Sequence, residues 1–174
     1  MKCKLIIQSS TKFLMGLITV CLLLFLPAGS IYYWNAWIFI GVLFVPMFAA
    51  GIILLMKSPD LLAKRLNTKE KEIEQKQVIL LSLFMFVGGF IVAALDFRYS
   101  WSKLPDWIII MAVVIFLISY ALYAEVMREN AYLSRTVEVQ VSQKVICTGL
   151  YGIVRHPMYL ATITLFMSIP LILG

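Results

Sequence analysis

Residues 149–159 read GLYGIVRHPMY and lead directly into an apolar run, Leu160–Gly174. Pro157 suits the first position of a helix, because its missing N–H group is no loss there and its φ angle is already helical. The unpaired N–H groups at such a helix start, with the positive end of the helix dipole, favour an anion such as a carboxylate or phosphate. The stretch therefore predicts the entry to an apolar helix, with a polar segment in front of it that favours an anion.

The composition is that of a membrane protein. Of 174 residues, 62% are hydrophobic and 14% are charged, with a mean hydropathy of +0.94, whereas soluble proteins carry roughly 25% charged residues. The apolar residues form long segments, so we expect one membrane domain over 1–174, an all-α polytopic transmembrane bundle of about five spans. The expected spans are about 13–27, 31–56, 78–95, 107–127 and 159–174.

Short polar segments separate these spans. Residues 28–30 form so short a connection that the first two spans are expected to pair as a tight antiparallel hairpin. Aromatic residues at the start of the second span favour a membrane interface there, namely Tyr32, Tyr33, Trp34 and Trp37. Ser58-Pro59-Asp60 supplies a cap, a first-position proline and a first-turn acid, which predicts a helix start. An amphipathic helix lying in the lipid headgroup layer fits the polar segment 57–77.

The basic residues are distributed unevenly between the two sides. If every span crosses, thirteen of the fifteen Lys and Arg residues lie on the side of the N-terminus, and the other two are Arg98 and Lys103. Loops rich in Lys and Arg remain in the cytoplasm. We therefore expect a multi-pass membrane protein whose N-terminus, segment 57–77 and segment 128–158 are cytoplasmic. The same distribution explains the net charge of +6 without nucleic-acid binding.

The stretch 149–159 resembles the signature of the isoprenylcysteine carboxyl methyltransferase family of integral membrane enzymes, roughly Gly-x-Tyr-x-x-[Val/Phe/Ile]-Arg-His-Pro-x-Tyr. The residues in register are Gly149, Tyr151, Val154, Arg155, His156, Pro157 and Tyr159. The resemblance, to bacterial and archaeal members above all, continues upstream through 127–130 and 97–98 to about residue 60. It implies methyl transfer from S-adenosyl-L-methionine, with carboxyl O-methylation of a lipidated or membrane-embedded substrate.

The resemblance also implies a cofactor site. Its expected members are Gln143, Lys144, Val145, Ile146, Tyr151, His156, Pro157, Met158 and Tyr159. Tyr151 or Tyr159 would contact the adenine or the sulfonium, and His156 would donate to the cofactor's carboxylate. Arg155 is a candidate contact for a substrate or cofactor carboxylate, and no catalytic residue is assigned. The family often has histidine where this chain has Gln143, and proline or another residue at Leu150.

Several other interpretations stay open. Arg155 and His156 are also typical of interfacial anchoring, and tyrosines are typical of an aromatic belt. Membrane sterol reductases, which bind a nicotinamide cofactor, carry a related motif followed by Gly-Glu, whereas Leu160-Ala161 follows here. Glu125, Arg128 and Glu129 form a second group of candidates, for which ion pairing within the helix is the simpler explanation.

The chain is also expected to lack part of the family's site. Family members continue with a sixth span, a Glu-rich segment and an Arg-x-Pro tail, so the resemblance predicts a truncated product, and a non-catalytic protein or inactive fragment is a further alternative. A helix ending near residue 174 is expected to leave carbonyl groups unpaired. The three cysteines have no metal-binding spacing, and neither a metal nor an oligomeric state is predicted.

Overall fold

The computed structural model describes residues 2–66, 73–129 and 148–174, and within these ranges every regular element is a helix. The protein is therefore an all-α helical bundle, as its sequence predicts. Its helices in chain order are α1 Lys2–Ala28, α2 Trp34–Lys57, α3 Pro59–Leu66, α4 Ile73–Tyr99, α5 Asp106–Glu129, α6 Leu150–Ile153 and α7 Pro157–Leu173. Four of them (α1, α2, α4 and α5) are long and apolar enough to cross a membrane, and α7 is a shorter apolar helix.

The helices extend further than the apolar segments that predict them. α1 begins at Lys2 and α4 runs over Ile73–Tyr99, although the expected spans cover only 13–27 and 78–95. Apolar composition marks the part of a helix that suits lipid, whereas Lys, Glu and Gln have good helix propensity and let the backbone hydrogen bonding continue beyond it. The start of α3 at Pro59 agrees with the prediction, with the Leu62 N–H donating to the Ser58 carbonyl at 3.2 Å.

A glycine ends α1 and begins the turn to α2. Gly29 has a φ of +65°, and its N–H donates to the carbonyls of Phe25 at 3.0 Å and Leu26 at 3.2 Å. This is the usual way in which a left-handed glycine satisfies the last carbonyls of a helix. α2 begins at Trp34 rather than at residue 31, because Tyr33 lies in non-helical backbone and its side chain is buried in the bundle.

The core is centred on Phe39 of α2, which is fully buried. Its ring lies 5.7 Å from the ring of Phe90 in α4 and 6.2 Å from that of Phe116 in α5, so three helices meet at one aromatic cluster. α5 and α7 have the most extensive contact of any two helices in the described part of the chain. Small buried residues in these two helices, Ala112 and Ala161 among them, allow the backbones to approach closely.

A pair of hydroxyl groups joins α5 to α7. The oxygens of Ser119 and Thr164 lie 2.8 Å apart, and each hydroxyl also lies within hydrogen-bond distance of a carbonyl in its own helix, at Ile115 and Leu160. Because water is absent from the bilayer core, polar side chains there are found bonded to one another or to the backbone. This pair therefore links the two helices that pack most closely.

At one end of the bundle, α2 begins where α1, α4 and α7 finish. The Tyr33 ring stacks on Phe97 of α4 at 4.3 Å, and its hydroxyl donates to the Leu173 carbonyl at 2.8 Å. Asn35 Nδ2 donates to the same carbonyl at 3.2 Å. The expectation that the carbonyls at this end of α7 are unpaired is thus wrong for Leu173, because a tyrosine 140 positions earlier in the chain supplies the donor.

Burial raises the pKa of Tyr33, with the negative charge of Asp96 adding to the effect, so the phenol keeps its proton.

We call this end the aromatic end, since it carries Tyr32, Tyr33, Trp34, Trp37, Tyr99, Trp101 and Trp107. Arg98 also lies here, with a guanidinium nitrogen 3.4 Å from the Pro27 carbonyl. This carbonyl is at the carboxyl end of α1, and the carboxyl end of a helix favours a cation. Asp96 accepts hydrogen bonds from the backbone N–H and the hydroxyl of Ser102, at 2.8 and 2.6 Å. These contacts order the α4–α5 connection.

At the opposite end, α3 lies against α1 and α2. Lys12 of α1 donates from Nζ to the carbonyl of Leu66 at the end of α3. A cation at the carboxyl end of a helix is favourable because the last carbonyls carry partial negative charge. α5 also ends at this side of the bundle and α7 begins there, so the segment 149–159 lies at the same end.

Candidate functional site

The candidate site is formed by the last turn of α5, by α6 and by the start of α7. α6 is a single short turn, Leu150–Ile153, that follows Gly149. Val154 is extended, with φ −127° and ψ 130°, and its N–H donates to the Leu150 carbonyl at 2.9 Å. The chain then turns at His156, and α7 begins at Pro157, the helix start that the sequence predicts. We call residues 149–159 the signature segment.

Backbone hydrogen bonds hold the start of α7, and the polar side chain of His156 lies beside it. Pro157 occupies the first helical position and is buried, while the carbonyl of His156 accepts from the N–H groups of Tyr159 at 3.1 Å and Leu160 at 3.2 Å. The His156 side chain makes no capping hydrogen bond to this helix. The imidazole is therefore not committed to holding the helix together.

His156 and Tyr159 form one accessible surface. Their ring centroids lie 5.4 Å apart with an angle of 33° between the planes, as expected for side chains three residues apart near a helix start. Both side chains are exposed, Tyr159 to 65%. Arg155, directly before them, is exposed as well. The three residues place an imidazole, a phenol and a guanidinium within one short stretch of surface.

Glu129, the last residue of α5, contacts the beginning of the signature segment. The Leu150 N–H lies 3.2 Å from Oε1 and 3.0 Å from Oε2 of its carboxylate. Gly149 has a φ of +58°, and a Cβ atom built on it would overlap the Glu129 carboxylate. The positive φ angle favours glycine at this position, and a larger residue would also have to displace the Glu129 carboxylate.

Glu125 and Arg128 pair with each other, as the simpler of the two sequence interpretations predicts. Arg128 Nε donates to Glu125 Oε2 at 2.8 Å, and a second bond joins the other guanidinium nitrogen to Oε1. The pair is exposed to solvent, and such pairs contribute little to stability. Of the three charged residues at the end of α5, Glu129 alone is bonded to the signature segment in the described structure.

The other predicted site residues divide into two groups. Tyr151 lies half-buried in α6, and Met158 is half-buried in the first turn of α7. Gln143, Lys144, Val145 and Ile146 lie outside the described residues, so their contact with a cofactor stays a prediction. The sequence interpretation did not link Glu129 to the signature segment, and an acid twenty positions before a glycine gives no local signal of contact.

Fold and composition together define an integral, multi-pass helical membrane protein. No family model matches the chain, and no curated protein or solved structure matches it either.

Proposed function

We propose that the protein is an S-adenosyl-L-methionine-dependent methyltransferase of the isoprenylcysteine carboxyl methyltransferase type, acting on a carboxylate of a lipidated or membrane-embedded substrate. The observation that carries the proposal is the signature segment itself, whose His156 and Tyr159 form an accessible pair at a helix start held by α5. The resemblance in sequence supplies the reaction, and the arrangement of the described residues is compatible with it.

The chemistry of these residues fits the proposed cofactor. S-adenosyl-L-methionine carries a sulfonium cation and a carboxylate. The exposed ring of Tyr159 offers a π face to a cation, while His156 and Arg155 are donors suited to a carboxylate. When bound, the cofactor supplies an electrophilic methyl group. Because a carboxylate acceptor is already charged, the protein's own contribution is to orient the two reactants and exclude water, without an acid–base pair.

A lipophilic substrate agrees with the surroundings of the site. Exposed apolar side chains, among them Ile153 at 82%, Leu160 at 46% and Ile163 at 57%, adjoin His156 and Tyr159 along the chain. A substrate anchored in lipid would reach such a surface from the side. The described cations Lys12 and Lys57 lie at the same end of the bundle as the signature segment, which supports our proposal that this end is cytoplasmic.

The proposal is tested by titrating the detergent-solubilised protein with S-adenosylhomocysteine in a calorimeter. We expect binding, and we expect His156→Ala to weaken it about 10-fold, the loss of one hydrogen bond to a charged group. Tyr159→Phe keeps the ring and loses only the hydroxyl, so it is expected to weaken binding less than Tyr159→Ala. Tyr32→Ala, an exposed tyrosine at the aromatic end, is the control that leaves affinity unchanged.

Two results would contradict the methyltransferase assignment. Binding of NADPH in place of S-adenosylhomocysteine would favour the nicotinamide-dependent reductases. Binding of neither compound, by protein whose far-ultraviolet circular dichroism is fully helical, would favour a non-catalytic membrane protein.

A further inference from the structure

A single carboxylate joins the two parts of the site that are far apart in sequence. Glu129 is the last residue of α5, and its carboxylate accepts a hydrogen bond from the Leu150 N–H. This N–H is one of the first in α6, and such groups lack partners within their own helix. The two oxygens lie 3.2 and 3.0 Å from that nitrogen. A hydrogen bond to an ionised acceptor is stronger than one between neutral groups, so this contact can tie the short turn of α6 to the end of α5.

The contact also places the carboxylate where a side chain at the preceding residue would begin. A Cβ atom at Gly149 would overlap Oε1 and the carboxyl carbon of Glu129, and it would lie 2.9 Å from Oε2. A larger residue at 149 would therefore have to displace the Glu129 carboxylate from its bond to Leu150, in addition to adopting a strained positive φ angle.

The geometry assigns Glu129 as the positioning residue of the signature segment, holding the Gly149–Leu150 turn against the end of α5. α7 is packed along α5, and Glu129 fixes α6 to the same helix. Tyr151 on α6, and His156 and Tyr159 at the start of α7, are thereby placed relative to one common support. The consequence for ligand binding rests on the proposed methyltransferase function, whereas the contact itself does not.

Glu125 is the matched control for this assignment. It is also a glutamate, it lies one helical turn before Glu129 on α5, and its carboxylate is bonded to Arg128 rather than to the signature segment. A general effect of removing negative charge from the end of α5 would appear in Glu125→Ala as well as in Glu129→Ala. An effect of the Glu129–Leu150 contact would appear in Glu129→Ala only.

Hydrogen exchange measured by mass spectrometry tests the contact directly. In Glu129→Ala we expect the peptide that contains Leu150 to exchange about 10-fold faster, because the loss of one charge-assisted hydrogen bond is worth about that factor. Glu129→Gln keeps an acceptor oxygen and is expected to restore part of the protection, and Glu125→Ala is expected to leave it unchanged. Unaltered exchange at Leu150 in Glu129→Ala would overturn the assignment.

A double-mutant cycle tests the match between the acid and the glycine. Gly149→Ala brings a methyl group into the carboxylate and also strains the backbone, whereas in a Glu129→Ala background only the strain remains. We therefore expect Gly149→Ala to lower the thermal unfolding midpoint by less when Glu129 is already alanine. Additive effects of the two substitutions would contradict the proposed overlap.

Titration with S-adenosylhomocysteine tests the consequence for the site. We expect Glu129→Ala to bind it about 10-fold more weakly than the unsubstituted protein and Glu129→Gln to recover part of the loss. Faster exchange at Leu150 with unchanged affinity would show that Glu129 holds the turn without positioning the site. If the unsubstituted protein does not bind the compound, the methyltransferase proposal fails, while exchange and the double-mutant cycle still decide whether Glu129 holds the turn.

Discussion

At the scale of single residues, Tyr33 connects elements that are far apart in the chain. It is 1% exposed, its ring stacks on Phe97, and its hydroxyl donates to the Leu173 carbonyl. A buried phenol needs such a partner, because an unpaired polar group is costly in an apolar environment. One side chain thus fixes the start of α2 to the ends of α4 and α7.

Replacing Tyr33 with phenylalanine separates the contribution of the hydroxyl to stability from that of the ring. Tyr33→Phe keeps the stacking on Phe97 and removes the donor to Leu173, so we expect the protein to lose about 1 kcal/mol of stability, the usual value of one hydrogen bond. The measurement is the unfolding free energy in detergent, followed by circular dichroism. Tyr32→Phe is the control, since Tyr32 is 73% exposed, and an equal loss in both variants would contradict this role for the Tyr33 hydroxyl.

At the scale of helices, the contact between α5 and α7 supports the candidate site. The two helices approach closely over small residues, and the Ser119–Thr164 pair adds a polar link in the middle of the contact. Because lipid is as apolar as a leucine side chain, packing and such polar links have to hold membrane helices together. The position of the start of α7 therefore depends on α5 along its length as well as at Glu129.

The Ser119–Thr164 link is measurable as a coupling energy. Ser119→Ala and Thr164→Val each remove one hydroxyl, and together they form a double-mutant cycle. We expect a coupling of about 0.6 kcal/mol in the unfolding free energy, the average for hydrogen bonds between membrane helices. A second cycle that combines Ser119→Ala with Thr19→Val, a hydroxyl on α1 that bonds its own helix at Met15, should show no coupling. A coupling near zero for Ser119 with Thr164 would contradict the link.

At the scale of the whole molecule, the two ends of the bundle differ in chemistry. The aromatic end carries all four tryptophans of the chain, and three of them (Trp34, Trp101 and Trp107) are at least 64% exposed. The opposite end, where the signature segment lies, carries exposed charged groups, including Arg128 and Arg155. Amphipathic rings prefer the level of the lipid headgroups, so the aromatic end should define one membrane–water interface.

Tryptophan fluorescence reports on this interface without any labelling. Because all four tryptophans lie at the aromatic end, in bilayers we expect lipids brominated close to the headgroup to quench the emission more strongly than lipids brominated near the chain terminus. Trp107→Phe should reduce the signal and leave its depth profile unchanged. Stronger quenching from the bilayer centre would contradict this placement of the aromatic end.

The sequence is sufficient to predict the long apolar helices, α3 and their order, but not α6, because this information is local. Apolar segments of spanning length predict transmembrane helices, and Pro157 after His156 predicts the start of α7 through the fixed φ angle of proline. Ser58-Pro59-Asp60 predicts the start of α3 in the same way. Helix limits were predicted less well, since polar residues with good helix propensity continue α1 and α4 past their apolar segments.

Only the tertiary structure decided which distant groups meet. The Tyr33 bond to Leu173 and the Glu129 bond to Leu150 join residues 140 and 21 positions apart, and no periodicity or local motif encodes such pairs. Gly149 illustrates the difference well. Its sequence context predicts a turn, but only the packing of α5 shows that a larger residue there would have to displace the Glu129 carboxylate. Helix formation depends on near neighbours along the chain, whereas the site depends on how the helices pack.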